Sequence, residues 1–136
     1  MPLTRIDVTD AISPDRRSAL ADALHQAAME TIGITADNRH QVVSVHRAGD
    51  VIADKRFMDL DRGPEQVFVQ ITLRRGRSPQ AKRDLYARIA ELAAANAGID
   101  PRNILVSLVE TDSADWSFGA GRAQLLDAAA AGRGTP

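Results

Sequence analysis

A strand–helix–strand pattern is written twice in this chain, 65 residues apart, and that repetition limits what it can fold into. Leu3–Val8 alternates as a strand, and Val67–Leu73 alternates in the same way. Each is followed by Ser-Pro, at Ser13-Pro14 and Ser78-Pro79, an N-cap followed by a first helical residue. An apolar stripe of Leu20, Ala23, Leu24, Ala27 and Ala28 marks the first helix, and Leu85, Ile89, Leu92 and Ala93 mark the second. Both helices stop at Gly-Ile, Gly33-Ile34 and Gly98-Ile99, where glycine suits a left-handed cap. Gln41–Val45 and Ile104–Glu110 close the two units, with an offset that drifts by about two residues.

Two βαβ units predict an α/β (α+β) fold: a four-stranded sheet with both helices on one face. The other sheet face is left bare, so an oligomer is expected. One domain spans residues 1–126, with repeats at 2–46 and 67–110 and a linker at 47–66. A linker of about twenty residues without periodicity reads as functional or disordered. Residues 127–136, rich in alanine and glycine, read as a flexible tail.

Composition removes several function classes. A net charge of -1 gives no field to draw nucleic acid or an anionic membrane, and no apolar run is long enough to span a bilayer. Asp7, Asp10 and Asp15 interrupt any signal-peptide core, so a cytoplasmic location is expected. Without cysteine there is no disulfide, thiolate nucleophile or zinc-thiolate site. His25, His40 and His46 lack metal-ligand spacing, and no metal or cofactor is expected. Gly119 and Gly121 lack the third glycine of a dinucleotide loop, since position 124 is Gln124.

Four features carry chemistry. Pro2 follows Met1, and small second residues usually allow the methionine to be removed, which leaves a secondary amine at the start of a strand. An α-amine titrates at roughly 7.7–8.0 and serves as acid or base near neutrality. Arg75 and Arg77 are two apart, so an extended segment points them to one side, with Arg74 on the other. Spacing alone favours a solvated basic strand end over a carboxylate grip, with Arg74, Lys82 and Arg83 also near. Trp116 and Phe118 also share a side if extended, and fit either a pocket wall or a core or subunit contact; Leu125 is a weaker candidate for the same wall. The segment Ala36-Asp37-Asn38-Arg39-His40-Gln41 completes the set.

Together with Asp115-Trp116-Ser117-Phe118-Gly119-Ala120-Gly121, these residues resemble the tautomerase superfamily, and within it the malonate semialdehyde decarboxylase branch, over almost the whole chain. The resemblance implies a homotrimer of duplicated βαβ subunits acting on small oxo acids through an amino-terminal proline. It implies that Pro2 moves the proton, that Arg75 and Arg77 hold the substrate carboxylate, that Arg39 contacts substrate, and that Trp116 and Phe118 wall the site.

One departure matters. The decarboxylase branch has aspartate, arginine and an aromatic where this chain reads Asn38-Arg39-His40, and Asp37 would point elsewhere in an extended segment unless a local twist redeploys it. Losing a carboxylate while keeping arginines leaves an amine more often neutral, which makes it a base. The leading expectation is therefore cofactor-free keto–enol tautomerisation of small 2-oxo acids, with Pro2, Arg75, Arg77 and Asn38 as catalytic residues. Decarboxylation of malonate semialdehyde to acetaldehyde stays close behind. A non-catalytic trimeric binding protein on the same scaffold is the third reading.

Overall fold

The computed structural model describes residues 1–132. Strand β1 (Leu3–Thr9) leads into helix α1 (Pro14–Ile32) and strand β2 (His40–His46). After the linker, β3 (Val67–Arg74), α2 (Pro79–Ala97) and β4 (Ile104–Thr111) repeat the unit, and a short helix α3 (Gln124–Ala130) follows. The helix α3 runs into the stretch expected as tail, as far as Ala130; residues 133–136 of that stretch lie outside the described residues.

The sheet order is β2-β1-β3-β4, with β1/β2 and β3/β4 parallel and β1/β3 antiparallel at the centre. The pairing register repeats without drift: Leu3 opposite His40 recurs 65 residues later as Phe68 opposite Leu105. The two-residue drift read from the sequence came from strand ends, which are less sharply defined than pairing.

Local chemistry explains the repeat. Ser13 and Ser78 accept from Arg16 N and Ala81 N, each capping the first turn of a 19-residue helix. Gly33 and Gly98, at φ 71° and 62°, turn back so that their N–H groups reach Ala28 O and Ala93 O. The core lies between the helices and one sheet face. Ile6, Val8, Val69, Ile71 and Leu73 from the strands meet Leu20, Leu24, Leu85 and Ile89 from the helices, all at most 2% exposed.

Arg16 breaks the symmetry. From the first turn of α1 it donates to Ala97 O at 2.9 Å and Gly98 O at 2.8 Å, capping α2, and forms a two-pronged pair with Glu65 at 2.7 Å. The linker is ordered around Arg62, which is 7% exposed and donates to the carbonyls of Asp54 and Phe57. Asn103 Oδ1 accepts from Gly63 N at 2.7 Å and ties the linker's end to the start of β4.

Candidate active site

The amino terminus lies at the end of the central strand pair. Continuing the β1–β3 register by two residues sets Met1 across from Arg74, while β2 begins with His40 opposite Leu3. Met1 and Pro2 are both buried. A cavity of about 430 Å³ opens there, lined by Met1, Thr35, Asp37, Asn38, His40 and Phe118. Pro2 faces an adjoining crevice that shares Asn38 and His40 and adds Arg39 and His25. A second cavity of about 260 Å³, between α2 and β4, is walled by Ile89, Pro101 and Val106 among others and has no charged lining residue. A third, of about 240 Å³, is lined by Arg56, Asp59, Leu60 and Asp61 in the linker, away from the amino terminus.

The α-amine there is pulled from 8.0 down to about 6, first by burial, then by the charge of Arg77 and then by that of Arg74. Arg77 is itself lowered by burial and by Arg74, with Glu110 opposing. Arg74 and Arg77 are thus the cations whose charge reaches the amino terminus, although neither is among the residues that line the cavity or its crevice. Arg75, expected beside Arg77, instead gives its Nε to Asp112 Oδ1 at 2.6 Å and its side chain is 62% exposed. The reason is Gly76. Its φ of 124° is open to glycine and breaks the extended run, so the two-residue alternation that aligned Arg75 with Arg77 does not hold. Arg77 folds back to donate to Arg74 O at 2.8 Å.

A turn also rearranges the residues around Asn38. Asn38 N donates to Thr35 O at 3.1 Å, and the Thr35 hydroxyl donates to Asp37 Oδ1 at 2.6 Å. Because this segment turns rather than extends, Asp37 lines the cavity together with Asn38. His25 from α1 anchors the turn through Nε2 and Ala36 O at 3.2 Å. Arg39 is committed elsewhere: Nη2 donates to Asp22 and Nε to Gln41, which holds the guanidinium against α1 and the first residues of β2.

Phe118 is the aromatic side chain that lines the cavity with His40, and Trp116 stacks on it without being among the lining residues. Trp116 and Phe118 stack with centroids 5.6 Å apart, and Phe118 stacks on His40 at 6.3 Å. Trp116 Nε1 donates to Thr111 Oγ1 at 2.7 Å, which fixes the indole to the end of β4. Gln124 clamps the loop by accepting from Phe118 N and donating to Gly119 O, both at 3.0 Å. Leu125, the next residue, is 1% exposed within α3; it is not among the residues lining the cavity. Sequence reasoning passed over Arg74, Thr35 and Gln124 as site candidates, and noted His40 as a metal-ligand candidate and at the aromatic position of the decarboxylase branch without giving it a role. The glycine between Arg75 and Arg77 was the available signal for the first. Among the described residues no group of three or more His, Asp or Glu is placed to hold a metal, and no helix is long and apolar enough to cross a membrane.

The model of a tautomerase enzyme family matches residues 38–119, more than half the chain. This protein belongs to that family. A probable tautomerase of Bacillus subtilis (strain 168), YrdN, is 31% identical over 93% of this chain and 97% of its own length. Among solved structures, FG41 malonate semialdehyde decarboxylase inhibited by 3-bromopropiolate superposes with a TM-score of 0.89 at 32% identity, covering 98% of this chain and 99% of that one. A second malonate semialdehyde decarboxylase, described for its decarboxylase and hydratase activities, gives 0.86 at 31% identity over 93% and 98%. A fused 4-OT described as a symmetric trimer shares the fold at 0.75 with 22% identity, over 91% and 98%. The tautomerase is thus an isomerase or decarboxylase, and the resemblance read from the sequence and the α+β fold both hold.

Proposed function

We propose that this tautomerase moves a proton between carbon and oxygen in a small oxo acid, 2-oxo acids first, using the amine exposed when Met1 is removed and Pro2 becomes the amino terminus. The observation that carries this reading is the amino-terminal nitrogen, pulled to about 6 by burial and by Arg77 and Arg74. A nitrogen in that environment is mostly neutral at pH 7 and so is a base. The value belongs to the Met1 amine; Pro2 is buried in the adjoining crevice, beside the same Asn38 and His40.

In this mechanism the Pro2 lone pair takes a proton from the carbon next to the carbonyl. Arg77 and Arg74 hold the carboxylate and stabilise negative charge that develops on oxygen. Asn38 orients the substrate or a water through its amide. Trp116 and Phe118 exclude water, which strengthens these charge effects. No cofactor takes part. The working unit is a homotrimer, in keeping with the open sheet face.

Asp37 favours a second reading. A carboxylate in the cavity raises an amine's pKa, and a protonated Pro2 would polarise the carbonyl of malonate semialdehyde as carbon dioxide leaves. The similarity to malonate semialdehyde decarboxylases supports it as well.

Proton NMR of the purified protein, with its amino terminus verified by mass, separates the two. Phenylenolpyruvate ketonising faster with wild type than with Pro2→Ala supports the first reading. Acetaldehyde formed rapidly from malonate semialdehyde supports the second. Full activity in protein that retains Met1 would remove Pro2 from either mechanism.

A further inference from the structure

The three strands around the amino terminus present their end groups in a fixed lateral order. Arg74 ends β3, the amine begins β1, and His40 begins β2 on the far side. Adjacent strands lie roughly 4.8 Å apart, so about 10 Å separates the two flanking strands, with the amine between them. His25 engages Ala36 O and His46 engages Asp7 Oδ1 at 2.7 Å, whereas neither ring nitrogen of His40 has a hydrogen-bond partner among the described residues. Its ring is held by the stack on Phe118, 29° from parallel, and it lines the cavity with Met1 and Asn38.

We propose that His40 is the second proton-transfer group of this site, acting on the carbonyl oxygen of a 3-oxo acid laid across β3, β1 and β2. This inference rests on the proton-transfer reading above and puts a 3-oxo acid in place of its 2-oxo substrate. A 3-oxo acid presents carboxylate, acidic carbon and carbonyl oxygen in the order in which the site presents guanidinium, amine and imidazole. A 2-oxo acid places its carbonyl next to the carboxylate, which leaves His40 facing its substituent. In the step itself, the neutral Pro2 nitrogen takes a proton from C2 and that C–H bond breaks. Its electron pair becomes the C2=C3 bond. The carbonyl π pair moves to oxygen, which takes the ring proton of a protonated His40. The products are the enol, a protonated Pro2 and a neutral imidazole, and the return step runs each transfer backwards. An imidazole both donates and accepts, which the aromatic expected at this position cannot do unless it carries a hydroxyl.

The test follows C2–H exchange with deuterium in malonate semialdehyde, by proton NMR in deuterated buffer. His40→Phe keeps the stack on Phe118 and removes the ring nitrogens. It is expected to lower kcat about 10²-fold with KM within about twofold. His40→Ala is expected to regain turnover when free imidazole is added, which a purely packing role would not produce. Wild-type rates in His40→Phe, or no recovery of His40→Ala by imidazole, would overturn the role of His40 while Pro2 kept its own. Wild type that leaves malonate semialdehyde untouched but ketonises phenylenolpyruvate through Pro2 would overturn the 3-oxo layout alone. Inertness toward both substrates would remove the proton-transfer reading and this inference with it.

Discussion

The amine, its two arginines and its solvent exposure set the acid–base behaviour at the scale of single residues. A base is active when deprotonated, so kcat/KM should rise with pH and level off once the Pro2 amine is neutral; the burial and the Arg77 and Arg74 charges that draw the Met1 amine down to about 6 should hold that limb below the ordinary α-amine range. Burial and two cations depress that value, so removing one cation must raise it. Arg77→Gln should therefore move the acidic limb upward while also weakening carboxylate binding; a pH–rate profile on phenylenolpyruvate checks both. Arg75→Ala should leave kcat/KM within about twofold, because Arg75 is exposed and paired with Asp112. A loss as large as that of Arg77→Gln would return Arg75 to the site. Pro2, Asn38 and Phe118, which the structure places at the cavity or its crevice, could be picked out in the sequence from residue type, position and the family resemblance. Arg74 and Asp37 could not. Both depended on assuming an extended backbone, and that assumption failed at Gly76 and in the turn at residues 36–37.

At the scale of elements, the caps made the fold readable. Ser-Pro and Gly-Ile are local signals, satisfied by hydrogen bonds within a few residues, so they survive without knowledge of the tertiary structure. The Arg16 staple is the opposite case. It joins residues 81 and 82 positions apart, and no local pattern announces it. Arg16→Ala removes donors from Ala97 O and Gly98 O and the partner of Glu65. With both side chains near 30% exposed, the loss should be about 1–2 kcal/mol, read from urea unfolding. The sign with pH follows from Glu65, whose carboxyl is held below 4.5 by Arg16. A depressed carboxyl stabilises the fold fully above its unfolded pKa and loses that contribution as pH falls through the folded value. The gap between wild type and Arg16→Ala should therefore shrink on acidification below pH 4.5, and a gap constant across that window would detach Glu65 from the effect.

At the scale of the whole molecule, the sheet is lopsided. Both long helices cover one face, and the core is complete there, with Val8 and Val67 fully buried. On the other face Val42, Leu105 and Val109 are each about 40% exposed, on the same side as Arg5 and Gln70. At the β2 edge Val43 and Val45 stay exposed even though they share a side with Ile6 and Val8. Apolar residues on an open face and on an unpaired edge are what an assembly of like subunits would cover. We therefore expect the protein to sediment at three times its single-chain mass. Leu105→Glu should break that assembly, since a carboxylate buried between subunits would lack a partner. The substitution lies on the face away from the core, so helical circular dichroism should be unchanged while the mass falls to that of one chain. An intact trimer in Leu105→Glu would take β4's open face out of the interface, and a monomeric wild type would mean that the exposed valines and leucine face water.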